Sequence, residues 1–575
     1  MNTERLLANY ESIADAPVAI PRLRLFVLDL AVRGKLVPQD PTDLPASELL
    51  KRIAKEKAKL VEAGIRKPRV ISAASHELPF ALPSHWTTAS LDQLSPYSLI
   101  DGDWIETKDQ SEIGTVRLIQ LADVGVGKFL NKSARFVTEA TSVRLNCTRL
   151  VPGDVLIARL PSPIGRACLF SDIGQPAITA VDVAILRLDQ NLDPAFLVLS
   201  LNAPPTRRQI EAYGKGTTRF RVSTGDLKTV ILPIPPLAEQ HRIVSKVDEL
   251  MALCDRLEAA RTECEATRDR FTAASFARLS APDPDTFRGD VRFVVDALPV
   301  LTARADQIKH LRQTIINLAV SGKLVPQDPG DGTGDELLRK LIDLRNQSRI
   351  GSRGKREGSK DEIRDEEKYF EIPGSWAWAR VHQVGMTQTG TSPSSSNPGL
   401  FGDHVPFVKP ADLNGNAINY DGPGLTEEGM HHSRVAPANT VLMVCIGATL
   451  GKVNITDRTI CFNQQINAVT PYADEIHRFI ALALKTSGFQ ELAWSKAGTG
   501  TLPIISKGKW EVLPISLPPL AEQQRIVAKV DELMALCDRL EASLATADET
   551  RRRLLVTLLA EALASEDMRE LKAAE

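Results

Sequence analysis

Two glycine-rich stretches hold the side chains with the most chemical reach. Tyr213-Gly214-Lys215-Gly216-Thr217-Thr218-Arg219-Phe220-Arg221 has a counterpart in Lys496-Ala497-Gly498-Thr499-Gly500-Thr501. Glycine lets a backbone approach a ligand closely, hydroxyls donate and accept, and cations such as Lys215, Arg219, Arg221 and Lys496 hold phosphate. The same composition also suits a tight surface loop between strands. Bond-making chemistry is harder to find. Gly447-Ala448-Thr449-Leu450-Gly451-Lys452 is one residue short of a phosphate loop and runs into Val453, which places no hydroxyl for magnesium. No Gly-x-Gly-x-x-Gly follows a strand, and there is no His-Glu-x-x-His, no nucleophile elbow and no paired metal-ligand histidines. His431-His432 stand alone beside glycine, expected at the surface.

The elements that must carry these loops are written twice. PPLAEQ-x-RIV-x-KVDELMALCDRLE occupies residues 235–258 and again 518–541. Each copy opens on prolines suited to a first helical turn, followed by a glutamate near the positive end of the helix. Ile243, Val247, Leu250, Cys254 and Leu257 step by four and three, as do Ile526, Val530, Leu533, Cys537 and Leu540. That spacing predicts a coiled-coil seam, with the two long helices packed on each other. A second element, GKLVPQDP, stands at 34–41 and returns unchanged at 322–329. Before it, Ile20, Leu23, Val27 and Leu30 make a helical stripe that Ile308, Leu311, Ile315 and Leu318 repeat.

The chain therefore reads as a tandem duplication with an α+β fold and a pseudo-two-fold internal repeat. Residues 1–70 form a helical repeat region, 84–234 a mixed, mainly β domain, and 236–345 a central repeat with the long helix. Residues 374–517 form a second mixed domain, and 519–575 the last repeat helix. Strand-like runs at 116–121, 155–159 and 183–187 answer runs at 405–408, 441–445 and 466–469, with short helices expected near 194–201 and 475–485. Charged tethers at 55–69 and 345–368 precede Trp86 and Trp376, which should anchor the domain starts in their cores. Ala281-Pro282-Asp283-Pro284-Asp285 is a helix stop. The repeated helices are nearly identical, whereas the two mixed domains differ considerably.

At 575 residues the chain is too long for one core. A formal net charge of −2 means that any nucleic-acid contact must come from local basic surface. Seven cysteines without a Cys-x-x-Cys pair argue against a disulfide framework or a zinc site. With no signal-like start and no membrane-length apolar run, the expectation is a reduced, cytoplasmic protein.

The twice-written helix motif, GKLVPQDP and the alternation of repeated with variable regions resemble the specificity (S) subunit of type I restriction-modification enzymes, over essentially the whole chain. The resemblance implies two target-recognition domains, each reading one half of a split, asymmetric site in double-stranded DNA. It implies that the repeated helices form an antiparallel coiled-coil spacer and dock two modification (methylase) subunits. Restriction subunits would join through the methylase core. S-adenosylmethionine would belong to the methylase, ATP and magnesium to the restriction subunit, and none of them to this chain. It is thus expected to be non-catalytic, and no Asn-Pro-Pro-aromatic or Asp-Pro-Pro-Tyr element of adenine methylases is present. A helix of roughly forty residues spans about 60 Å, enough to hold readers on half-sites roughly 34 Å apart.

Under that resemblance Lys215, Thr217, Thr218, Arg219, Arg221, Lys496, Thr499, Thr501 and Lys507 are candidates for DNA contact. So are Lys108, Arg117, Gln120, Arg159 and Arg166 in the first domain, and Lys409 and Lys452 in the second. Glu239, Arg242, Lys246, Glu522, Arg525 and Lys529 are candidates for docking the other subunits. Ordinary solvated charge is the competing reading throughout. Two other functions fit the chain: a stand-alone DNA methylase or nuclease, or a structural coiled-coil adaptor.

Overall fold

The computed structural model describes residues 16 and 18–574, apart from 65–77, 162, 189, 217–219, 281–284, 349–362, 416 and 499–501. It divides into two compact units, Met1–Glu263 with Ala547–Glu575, and Cys264–Thr546. Each unit takes most of one copy of the repeat, and the end of each long helix falls in the other unit. Six helices carry the repeated sequence: α1 (Ala19–Val32), α2 (Ala46–Glu62), α3 (Leu237–Ser280), α4 (Ala305–Val320), α5 (Gly334–Ser348) and α6 (Leu520–Ala574).

The turn after α1 needs glycine. Gly34 sits at φ +71°, and a Cβ there would lie 2.5 Å from the Pro83 ring; Gly322 sits at φ +76°, with Pro373 at 2.4 Å. This turn presses the GKLVPQDP element against the start of each mixed domain. There the first strand pairs antiparallel with the last. Thr87–Ser90 runs against Ile231–Ile234 with Thr87 opposite Ile234, and Ala377–Arg380 runs against Pro514–Leu517 with Ala377 opposite Leu517. Both ends of each domain are thereby tied together, directly before the prolines that launch the long helix.

Inside the first domain an antiparallel sheet takes the order Leu99–Ile100, Val183–Leu186, Val155–Ala158, Ala167–Leu169. A smaller sheet places Val116–Ile119 between Phe136–Val137 and Ala177–Thr179, parallel to the latter. The second domain repeats both. Gly385–Thr389, Ile466–Pro471, Val441–Val444 and Val453–Ile455 make the larger sheet, and Ile460–Phe462 lies between Phe407–Val408 and Arg434–Ala436. Val155–Ala158 and Val441–Val444 are buried along their whole length, which explains why they read as continuous apolar runs rather than alternating ones. The short helices lie at Pro194–Asn202 and His477–Lys485.

The apolar stripe of each long helix has a partner inside its own unit. Ile243 and Val247 of α3 pack among Val27, Leu28, Ala31 and Val32 of α1 with Trp86 and Phe196. Ile526, Val530 and Cys537 of α6 share a core with Ile308 and Ile315 of α4, Trp376 and Phe479. At these positions each long helix packs on the opening helix of its own half. Leu257, the last seam position of the first copy, is 37% exposed. α1 and α4 carry stripes of the same spacing as the long helices. The first charged tether is helical up to Glu62, and residues 65–69 of it, 349–362 of the second tether and 281–284 of the helix stop lie outside the described residues. No described helix is long and apolar enough to cross a membrane.

Candidate nucleic-acid interface

Each glycine-rich loop is closed by main-chain hydrogen bonds between its described ends. Lys215 and Arg221 exchange two main-chain hydrogen bonds of 2.9 Å each. The Phe220 ring lies where a side chain on Gly214 would have to go, 2.0 Å from the position of its Cβ, so a larger residue there would have to displace the ring. In the second domain the Gly498 N–H donates to the Ile504 carbonyl at 3.0 Å. The segments leave their loops alike. The Val222 N–H donates to the carbonyl of Arg159, and the Ile505 N–H to that of Cys445, each at 3.0 Å. Lys215, Arg221 and Lys496 stand exposed at these loops, while Thr217, Thr218, Arg219, Thr499 and Thr501 lie outside the described residues.

Several cations that looked available from sequence are spent internally. Arg159 is buried; its guanidinium donates to the Val222 and Val181 carbonyls and pairs with Asp101 at 2.8 Å. Thr224 donates to the same Asp101 carboxylate. Arg159 is therefore the post to which the loop is fastened, not a DNA contact. Arg166 is buried as well, and donates to four carbonyls: Val124 at 2.6 Å, Leu121 at 2.8 Å, Pro163 at 3.1 Å and Leu160 at 3.3 Å. Burial pulls its guanidinium below the usual arginine range. Lys452 occupies the matching place after Gly451 and donates to the Leu413 carbonyl at 3.3 Å, keeping part of that role while staying exposed. Arg117 is also buried, donating to the Asn131 side chain at 3.1 Å and lying 5.1 Å from the centre of the Phe136 ring.

What remains at the surface is a smaller set. Lys108 is exposed and paired with Glu106 at 2.6 Å. Lys409 is exposed, and its main-chain N–H donates to Asp412 at 2.8 Å, just as the N–H of half-buried Gln120 donates to Asp123. Lys507 is half-buried against Glu511 at 2.5 Å. Sequence reasoning missed a neighbouring feature. A turn from Val124 to Phe129, matched by Leu413 to Ile418, projects exposed Lys128 and, just beyond it, Asn131 and Lys132. Its sequence signal, Gly125-Val126-Gly127-Lys128, was a turn signature flanked by cations. Trp104 is 70% exposed, an unusual position for so large an apolar side chain.

The residues proposed for docking divide similarly. Glu239 is buried and accepts from Trp86 Nε1 at 3.0 Å and Gln39 Nε2 at 2.6 Å. Glu522 accepts from Trp376 Nε1 at 2.9 Å and Gln327 Nε2 at 2.6 Å. Burial pushes both carboxyls above the usual glutamate range, with those hydrogen bonds opposing it. Arg242 pairs with Asp43, and Arg525 with Asp331, each at 2.6 Å. These four residues form a clamp joining the long helix to the GKLVPQDP element, so Glu239 and Glu522 are internal. Lys246 and Lys529 are half-buried, with Glu249 and Glu532 as neighbours at 2.8 and 2.9 Å. Trp86 and Trp376 anchor the domain starts, as their placement after the tethers led us to expect.

Comparison with known proteins points one way. The family described as type I restriction modification DNA specificity domain matches residues 83–265 and 373–546. The EcoEI type I restriction enzyme specificity subunit of Escherichia coli is 28% identical over 573 residues, covering 95% of this chain and 94% of its own. The EcoAI specificity subunit of the same species is 28% identical over 553 residues, covering 93% and 92%. A solved chain from a study of type I R-M complex assembly is 20% identical, covering 84% of this chain and 99% of its own, with a TM-score of 0.47.

Proposed function

The chain belongs to the type I restriction modification DNA specificity family, and from that premise we propose how it works. Each mixed domain reads one half of a split, asymmetric site in double-stranded DNA, and the repeated helices receive two modification subunits. The observation that carries this reading is one clamp built twice around two unlike domains. Trp86, Gln39 and Glu239 in one half do the work of Trp376, Gln327 and Glu522 in the other. A repeated holder with different contents is what an asymmetric target requires. Contact would run through Lys215 and Arg221 in the first domain and Lys496 and Lys452 in the second. Lys108, Lys128, Lys132, Lys409 and Lys507 would add phosphate contacts. Lys246 and Lys529 would face the modification subunits.

In this reading the chain performs no bond chemistry and holds no cofactor. S-adenosylmethionine would be bound by the modification subunits, and ATP with magnesium by restriction subunits joined through them, all in the cytoplasm. The test is to replace residues 84–234 by the corresponding domain of another family member and to map methylated adenines in cells. One half of the recognised site should change and the other should stay. Alteration of both halves would refute independent reading.

A further inference from the structure

The two halves depart from each other at one place beside the clamp. In the first half the Arg33 guanidinium lies over the Phe80 ring, 4.6 Å from its centre, and is held by Asp29 at 2.6 Å. Phe370 stands in the position of Phe80, but the repeat puts Ser321 where Arg33 would be and Asn317 where Asp29 would be. Among the described residues no cation lies over Phe370, Tyr369 or Trp378. The second half instead adds aromatic surface. Tyr369 and Trp378 replace Pro79 and Thr88. Tyr369 meets Phe370 at 4.8 Å and Trp378 at 5.2 Å between ring centres, and Phe370 lies 5.2 Å from Trp378. A cavity of about 1010 Å³ opens on this cluster. Asp335 and Glu371 line it, where the first half has Ser47 and Ala81. Asp365 and Lys368 on the same wall pair with each other at 2.6 Å, and Lys323 lies near Glu371.

We propose that this cavity receives an arginine side chain from a partner polypeptide, once per chain. The first half supplies the precedent, because there the protein itself lays a guanidinium on the equivalent ring. A planar guanidinium stacks on aromatic faces and also meets carboxylates through a fork of N–H donors; an ammonium is a point charge that has neither the flat face nor the fork. Asp335 and Glu371 are the carboxylates the guest would meet. The inference is independent of how the two domains read DNA. It gives a duplicated scaffold one site without a twin.

The experiment is calorimetric titration of the full chain with a glycine-serine decapeptide carrying one central arginine, beside the same peptide with lysine or citrulline. One arginine peptide should bind per chain, with the citrulline form weaker by about tenfold or more and the lysine form weaker by several-fold. Trp378→Thr and Glu371→Ala, which restore the first half's residues, should each weaken binding by about fivefold to tenfold, and exposed Glu371→Ala should do so with the melting temperature near that of the parent. Equal binding of arginine and citrulline peptides, or of arginine and lysine peptides, would overturn the proposal. So would two peptides per chain, unchanged affinity in Trp378→Thr, or no saturable binding of the arginine peptide up to about 10 mM.

Discussion

Glu239 and Glu522 each take two hydrogen bonds at a buried site and still have carboxyls raised by burial. A carboxyl with a higher folded than unfolded value binds a proton on folding in the interval between the two. Its contribution to stability is then full below the unfolded value and lost as pH rises through the folded one. Replacing both by glutamine costs one acceptor at each site at every pH but removes that loss. The melting temperature of the Glu239→Gln, Glu522→Gln double variant, relative to the parent, should therefore rise as pH climbs from about 4.5 to 7. A difference that stays flat over this interval would contradict the assignment. Arg166 and Lys215 make the second contrast. Arg166→Ala removes a guanidinium shared by four carbonyls and should cost about 3 kcal/mol or more of stability in the first domain. Lys215→Ala should change stability by no more than about 0.5 kcal/mol, weaken DNA binding, and reduce the salt slope by about one. Chemical denaturation and salt-dependent binding would separate them. Sequence could show charge beside glycine but not the main-chain cage, so Arg166 and Lys452 looked alike when one is sealed and the other is at the surface.

Among the elements, the buried strands and long helices were legible because their signals are local: β-branched runs between Gly, Pro and Asp, and a stripe stepping by four and three. The partner of the stripe was not legible. α1 and α4 carry the same spacing as the long helices, and periodicity alone cannot say which of two matching stripes meets which. Arg24 shows the outcome at side-chain level, pairing with Asp255 at 2.7 Å and Glu258 at 2.9 Å, as Arg312 pairs with Asp538 at 2.6 Å and Glu541 at 3.2 Å. A change in helix length should therefore be made beyond these pairs. Seven residues inserted between Glu263 and Cys264 of α3, with seven more between Thr546 and Ala547 of α6, would add about 10 Å to each rod with little rotation. The gap between the methylated half-sites should grow by about three base pairs. An unchanged gap in methylation maps would show that the rods do not set it.

For the whole molecule, the duplication was plain from GKLVPQDP and the twice-written helix, yet the composition of the first unit was not. Residues 547–575, the end of α6, belong with residues 1–263. Leu555, Leu558 and Leu559 bury themselves against Ala16 and Ala19, with Val18, Leu23 and Phe26 alongside. No sequence match links these two stretches, because apolar contacts between distant segments leave no repeat to find. Removing residues 547–575 should lower the melting temperature of the first unit and spare the second, so that limited proteolysis opens residues 16–32 first. Uniform loss of protection in both units would contradict this.

That shared ownership of the first unit sets a timetable. A ribosome delivers residues 1–263 long before it reaches Leu555, and at about 5–20 residues per second the interval is roughly a quarter of a minute to a minute. Throughout it, the apolar face around Ala19 and Phe26 has no native cover. The nascent chain needs cover there until Leu555, Leu558 and Leu559 emerge, and a chain that stopped before them would carry its defect around Ala19 and Phe26.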